Sequence, residues 1–206
     1  ENEVSTEGLS FEQIEKKIDF NEDQNNVIKE INISLGENKF KSYLLHGVTG
    51  SGKTEIFIES IKTVTKKNKT AIVLLPEISL TPQIAGRFKS VFPGKVALWH
   101  SQLTKAQRNS TWKKIHNGFY NIVIGARSAI FTPLKNIGLI IIDEEHDSSY
   151  RQESPSPRYH ARDVAIVRAK FEKANILLSS ATPSLESYYN SKNNKHKYLN
   201  LPNRYG

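Results

Sequence analysis

The 206-residue chain has no cysteine and no methionine, and only two Trp. Without cysteine there are no disulfides, no thiolate zinc site and no cysteine nucleophile. Six histidines are present, but no two stand at the His-x-x-x-His spacing of a helical zinc site. No apolar run approaches the roughly 20 residues of a membrane span; the longest, around Leu139–Ile142, is strand-sized, so no membrane partner is expected. The opening residues, Glu1-Asn2-Glu3-Val4, lack the basic start and apolar core of a signal peptide. A chain without methionine at position 1 reads as a fragment or a processed product. What is present is 37% apolar and 24% charged residues, a soluble globular composition. The 29 Lys and Arg against 21 Asp and Glu leave +8, which favours polyanionic partners, although many ordinary proteins are modestly basic.

The first twenty residues are polar and acidic with scattered apolar positions and read as an incoming linker or short helix and not as a domain. From Asn21 the pattern changes. Asn21 is followed three positions on by Gln24, and Val27, Ile28, Ile31 and Leu35 continue at helical spacing, predicting a helix over 21–35 ended by Gly36. Apolar runs at 43–45, 71–75, 96–99, 122–124, 139–142 and 176–178 then alternate with helical patterns at 53–67, 82–92, 104–118, 160–173 and 184–191. Thr81 before Pro82 and Thr104 before Gln107 are further helix starts. Buried strands separated by helices imply a doubly wound α/β domain, a mostly parallel sheet with helices on both faces. The domain is expected over 21–189. Ser154-Pro155-Ser156-Pro157 interrupts it as a loop, and 190–206 reads as an exit segment.

Gly47-Val48-Thr49-Gly50-Ser51-Gly52-Lys53-Thr54 matches the phosphate-binding pattern G-x-x-x-x-G-K-S/T between a predicted strand and a predicted helix. Such glycines let several N–H groups turn inward at a helix N-terminus, where they solvate phosphate. The nucleotide-binding candidates are Thr49, Gly50, Ser51, Gly52, Lys53, Thr54 and Glu55, with Lys53 spanning the β- and γ-phosphates and Thr54 holding Mg²⁺. The complementary acids are in Leu139-Ile140-Ile141-Ile142-Asp143-Glu144-Glu145-His146. Carboxylates crowded at a strand end repel one another, a penalty a divalent cation offsets. Asp143 is read as the Mg²⁺-side acid and Glu144 as the residue that orients or deprotonates water. Glu145 has two readings, a member of the site or a solvated surface acid. The Lys62, Lys66, Lys67 and Lys69 cluster is a solvated face at a helix C-terminus.

The tetrad Asp143 to His146, with the phosphate loop before it and Ser180-Ala181-Thr182 after it, resembles the first motor domain of superfamily 2 helicases. Leu74-Leu75-Pro76-Glu77-Ile78-Ser79-Leu80-Thr81-Pro82-Gln83, Trp99-His100-Ser101, Gly125-Ala126-Arg127-Ser128-Ala129, Asp143 to Tyr150 and Arg158 to Asp163 are similar to the bacterial replication-restart helicases, over about 21–205. The resemblance implies a RecA-like P-loop fold using ATP/ADP and Mg²⁺. It places Gln24, by its residues a helix cap, at the adenine position. It implies that His146, Ser180 and Thr182 couple nucleotide state to DNA grip.

Thr81, Arg127 and Ser128 fall at predicted strand ends, where open α/β sheets bind ligands and where hydroxyls and an Arg can hold the phosphates of a single strand. Their plainer readings are an N-cap and a surface cation. Ser148 to Asp163 interleaves Tyr150, Arg151, Arg158, Tyr159, His160 and Arg162, either a solvated loop or one that stacks bases and holds phosphates. It resembles the family's aromatic-rich loop.

The resemblance implies a DNA-dependent ATPase and 3′-to-5′ DNA helicase acting at stalled forks, located in the bacterial cytoplasm at the nucleoid. Its implied partners are single-stranded and forked DNA, single-stranded DNA-binding protein, and primosome or helicase-loading proteins. The family's zinc module has no cysteines here, and its second motor lobe and amino-terminal DNA-binding region are not in this sequence. The 206 residues are therefore expected to bind nucleotide and hydrolyse it weakly. A docking module for replication proteins is the alternative; a small-molecule kinase would need an acceptor pocket and an Arg-rich lid instead.

Overall fold

In the computed structural model, residues 19–35 and 37–204 are described. The expected linker lies almost wholly outside them, and so does Gly36, the expected helix stop. Six α-helices occupy Glu22–Leu35 (α1), Lys53–Lys66 (α2), Pro82–Val91 (α3), Lys105–His116 (α4), Ala161–Glu172 (α5) and Leu185–Lys192 (α6). The strands are Lys41–Gly47 (β1), Thr70–Leu74 (β2), Val96–Trp99 (β3), Ile122–Gly125 (β4), Ile137–Ile142 (β5), Arg151–Gln152 (β6), Tyr159–His160 (β7), Asn175–Ser180 (β8) and Lys197–Leu201 (β9). Seven form one parallel sheet in the order β3-β4-β2-β5-β8-β1-β9. The other two, β6 and β7, make an antiparallel hairpin.

The expected caps form. Asn21 and Gln24 exchange backbone-to-side-chain hydrogen bonds at 2.9 Å, and Thr104 and Gln107 do the same ahead of α4. Along each buried strand the side chains alternate between two cores, as a period of two requires. Tyr43, Leu45, Val73, Leu139 and Ile141 face α1, α2 and α3, while Leu44, Ile72, Leu74, Ile140 and Ile142 face α4 and α5. Ala161, Ala165 and Ala169, one turn apart, let α5 lie close to the sheet. Among the described residues no helix is long and apolar enough to cross a membrane.

The expected exit after residue 190 is corrected by the backbone. Residues 197–201 return as β9, pairing parallel with β1 from Tyr43↔Lys197 to Gly47↔Leu201, and Val48 N–H donates to Leu201 O at 3.2 Å. Leu199 and Leu201 are buried while Lys197, Tyr198 and Asn200 are exposed. This is the one-sided alternation of an edge strand, and its polar half disguises it as a tail.

At the end of β4 the chain turns so tightly that a Cβ on Gly125 would overlap the Trp99 carbonyl oxygen and lie 2.8 Å from Ala129 Cβ. Both neighbours are main chain or buried, so neither can yield cheaply. Gly125→Ala is expected to cost about 2–4 kcal/mol, measured as a lower urea midpoint at unchanged m value.

Candidate nucleotide and nucleic-acid site

Strand β8 lies between β1 and β5, in register with both, so the loops leaving all three strands meet at one end of the sheet. This is how Gly47–Thr54, Asp143–His146 and Ser180–Thr182 become neighbours across more than 130 residues of sequence. In the first loop, Gly50 and Gly52 adopt φ of 80° and 82°, in the left-handed region that glycine enters without strain. A Cβ on Gly47 would sit 2.7 Å from Ser51 Oγ. The loop therefore closes on itself and opens α2 with no side-chain cap, leaving its first N–H groups available to an anion. Lys53 Nζ donates to Gly47 O at 2.8 Å and stands 3.8 Å from Glu144 Oε1.

The loop is braced from below by Gln24, fully buried, whose Nε2 donates to Ser51 O at 2.9 Å while Oε1 accepts from Asn21 N–H. Here its amide caps α1 and ties that cap to the phosphate loop. Glu55 is engaged as a tie from α2 to α3, its carboxylate accepting two bonds from Arg87 Nη2 at 3.0 and 3.1 Å.

Asp143 leaves the end of β5 half-buried, with its N–H donating to Leu74 O at 3.0 Å. Its Oδ1 is buried without a hydrogen-bond partner, as is Ser51 Oγ. Burial, and then the charge of Glu144, push the Asp143 carboxyl up to about 6, with Lys53 opposing. An orphaned buried carboxylate oxygen beside a glycine cradle fits a divalent cation held between acid and phosphate. Glu144 adopts φ 46°, a left-handed conformation that costs a non-glycine residue free energy and is concentrated at functional sites.

That turn places Glu144 between Lys53 and a polar chain. Ser180 Oγ donates to Glu144 Oε2 at 3.4 Å, and accepts from Thr182 N–H at 2.8 Å and from His146 Nδ1 at 2.8 Å. His146 Nε2 is then the acceptor for Thr182 Oγ1 at 3.5 Å. These roles satisfy every group with one imidazole tautomer, Nδ1–H. His46, just before the phosphate loop, joins from β1: its Nε2 donates to Ala181 O at 3.1 Å and its Nδ1 accepts from the Tyr198 hydroxyl at 2.7 Å.

Three sequence readings are corrected by burial. Glu145 is not a solvated acid; it is 1% exposed and accepts from Ser184 N–H at 2.7 Å, Ser187 Oγ at 2.8 Å and Arg162 Nη1 at 3.2 Å. Arg162, 7% exposed, is spent on Glu145, Asp163 and Glu186, so its guanidinium is not free for DNA phosphate. Tyr150 is fully buried and cannot stack a base. Its hydroxyl donates toward Asp143 O at 2.6 Å and Leu74 O at 3.1 Å, joining the ends of β5 and β2. No local pattern announces the Glu145 cluster, whose partners lie 17 to 42 residues away.

The remaining candidates divide by exposure. Thr81 accepts from Ile84 N–H and caps α3, and Ser128 accepts from Trp99 Nε1 at 3.2 Å. Arg127 donates to Ser149 O and Arg151 O, holding the base of the hairpin loop. His160 Nδ1 accepts from Arg162 N–H and caps α5. Arg151 and Arg158 are exposed and, with half-buried Tyr159 and His160, line an open depression of about 550 Å³.

A family model described as DEAD/DEAH box helicase matches residues 21–190. The chain is 50% identical over 183 residues to replication restart protein PriA of Bacillus subtilis (strain 168), covering 89% of this chain and 23% of that protein. It is 52% identical over 167 residues to replication restart protein PriA of Haemophilus influenzae, covering 81% and 23%. The chain thus spans about a quarter of the length of these curated relatives. Among solved structures, RecG bound to a three-way DNA junction superposes with a TM-score of 0.69 at 24% identity, over 92% of this chain and 24% of that one. A hypothetical ATP-dependent RNA helicase from Sulfolobus tokodaii gives 0.62 at 19%, over 90% and 53%. At these identities the structural likeness speaks to the fold.

Two outcomes follow from the site's electrostatics. Glu145→Ala leaves Arg162 only its exposed acidic partners Asp163 and Glu186 and takes the acceptor from Ser184 N–H and Ser187 Oγ, and is expected to cost about 2–4 kcal/mol, read from denaturant unfolding. Asp143 has a folded pKa above the ~3.9 of an unfolded Asp, so the stabilising proton is present in full below about 4 and lost as pH rises through about 6. In the absence of nucleotide and metal, Asp143→Asn should therefore be more stable than the parent by about 1–3 kcal/mol at pH 8, with the gap closing toward pH 4. Parallel thermal melts at the two pH values check it, and a gap that widens on acidification contradicts it.

Proposed function

The chain belongs to the DEAD/DEAH box helicase family, and from that premise we propose that it is the ATP-binding lobe of a DNA-dependent ATPase that unwinds DNA 3′ to 5′ in replication restart. The observation that carries this reading is the opposition of Lys53 and Glu144 across the glycine loop, with the orphaned Asp143 Oδ1 beside them. The N–H groups opening α2 and the Lys53 ammonium bind the β- and γ-phosphates. Thr54 and Asp143 would hold Mg²⁺, which supplies charge neutralisation on the phosphates.

Glu144 takes the proton of the attacking water, its carboxylate oriented from one side by Lys53 and from the other by Ser180. Ser180, Thr182 and His146 pass the state of Glu144 on to the nucleic-acid side. Thr81, Arg127 and Ser128 border that side, and Arg151, Arg158, Tyr159 and His160 of the hairpin face a single strand of DNA. Arg87, Arg127 and Arg162 are each held by other partners, so no arginine of theirs completes the phosphate site. In related hydrolases such an arginine is worth about 10³–10⁵ in rate, and by the resemblance it arrives from a second lobe. Hydrolysis by these residues alone is accordingly slow. Forked DNA, single-stranded DNA-binding protein and primosome proteins are the partners that the resemblance implies, in the cytoplasm at the nucleoid; the relatives' names support the replication-restart setting.

The test is ATP turnover with and without single-stranded DNA, beside binding of labelled ADP. Lys53→Ala removes a charge-assisted bond and is expected to weaken nucleotide binding roughly ten- to a hundredfold. Glu144→Gln should keep nucleotide binding and lose turnover. Unchanged ADP binding in Lys53→Ala, or turnover that survives Glu144→Gln, overturns the assignment.

A further inference from the structure

The positive charge of the chain is concentrated in one stretch. Between Glu77 and Asp143 there is no Asp or Glu, and nine Lys and Arg fall there; the remaining twenty are outnumbered by the 21 acids. The stretch runs from α3 through β3, α4 and β4 to β5, and seven of its nine cations precede β4, toward the β3 end of the sheet. Its centre is α4, twelve residues of which Ile115 alone is buried.

A helix polar nearly all round draws little stability from packing, and the sequence of α4 does not compensate. Its first turn has no acid; Lys105 and Arg108 stand there instead, against the helix dipole and three residues apart. Lys113, Lys114 and His116 in the last turn do complement the dipole, so the N-terminal pair is the part that helix stability does not explain. Among the described residues none of the four Lys and Arg of α4 forms an ion pair.

The face is nonetheless held in place. Lys105, Asn109, Trp112 and His116 follow at the three- and four-residue spacing of one helix face. Trp112, 40% exposed, packs on buried Trp99 with ring centroids 5.7 Å apart, and the Arg108 guanidinium lies 5.6 Å from the Trp99 ring centre. Trp99 in turn is fixed by Ser128.

We propose that α4 is a docking surface for the sugar-phosphate backbone of duplex DNA, separate from the strand-end site for a single strand. The inference rests on the DNA-binding reading above and adds a second contact to it. Charge complementarity identifies the partner: Lys105, Arg108, Lys113 and Lys114, all exposed on one helix and none of them ion-paired, match a surface of closely spaced phosphates. A single strand is less suited to this face, because sequence-tolerant single-strand binding uses several aromatic rings open to stacking, and α4 has one, Trp112, part of whose ring lies against Trp99. Nothing on α4 reads bases, so the contact is indifferent to sequence and acts by holding the unopened arm of a fork beside the motor.

The test is affinity for a blunt duplex and for a single-stranded oligonucleotide as salt is varied, by anisotropy, for the parent, for Lys105→Gln/Arg108→Gln/Lys113→Gln, and for a control that loses equal charge elsewhere, Lys66→Gln/Lys67→Gln/Lys195→Gln. With about 0.9 counterions released per phosphate contact, the α4 variant should lose about tenfold or more in duplex affinity and flatten the salt slope by about 2 to 3. The control should change little, and single-strand affinity and ADP binding should hold. Equal losses in both triple variants, equal losses on both DNAs, or an unchanged duplex affinity each overturn the surface, as does binding of an acidic peptide in preference to duplex. Failure of the parent to bind any DNA overturns the DNA reading itself.

Discussion

Every part of the site depends on the parallel register of β1, β8 and β5. Parallel strands end at the same side of a sheet, so the turns that leave them are brought together whatever their separation in sequence. Because β8 is the middle strand, Ser180 is delivered to the side of Glu144 away from Lys53, where its single hydroxyl is acceptor to His146 and Thr182 and donor to Glu144. A slip of one residue in that strand would turn its side chains to the opposite core and remove the connection altogether.

The polar network is held by a second, deeper one. Glu145 follows Glu144, and its carboxylate is locked by Arg162 of α5 and by Ser184 and Ser187 at the start of α6. Buried ion pairs contribute little net stability, but they penalise any arrangement that separates the partners. Glu145 thus fixes the backbone on which Glu144 takes its left-handed turn, and it relates two helices to the acidic loop. The acids of the tetrad divide the work: Asp143 stays under-solvated, Glu144 is half-exposed between Lys53 and Ser180, and Glu145 is locked.

Periodicity and caps made most of the fold legible beforehand, because buried parallel strands and capped helices write themselves into local sequence. The glycine loop and the acids were legible for the same reason: their chemistry requires particular residues at fixed local spacing. What escaped was non-local. β9 shows apolar residues only at Leu199 and Leu201, and its place in the sheet is settled by β1. Tyr150 and Arg162 looked available because composition cannot distinguish an exposed aromatic or cation from one buried by its own helix or strand end. Gln24 was read as a cap and, by resemblance, as the adenine residue; the cap is formed through Oε1, and the other amide atom, Nε2, is engaged by Ser51 O, a partner 27 residues away.

The hydroxyl of Tyr150 reaches both Asp143 O and Leu74 O while its ring is sealed in the core. The hairpin that begins at the next residue is therefore hung from the acid end of β5 by a stiff aromatic pivot. Arg127 grips the same base through the carbonyls of Ser149 and Arg151. Mechanically the base of the hairpin is tethered at two points, the Asp143 carbonyl through Tyr150 and the Arg127 guanidinium through Arg151 O, so that the two strands of the hairpin cannot shift without disturbing the peptide of Asp143.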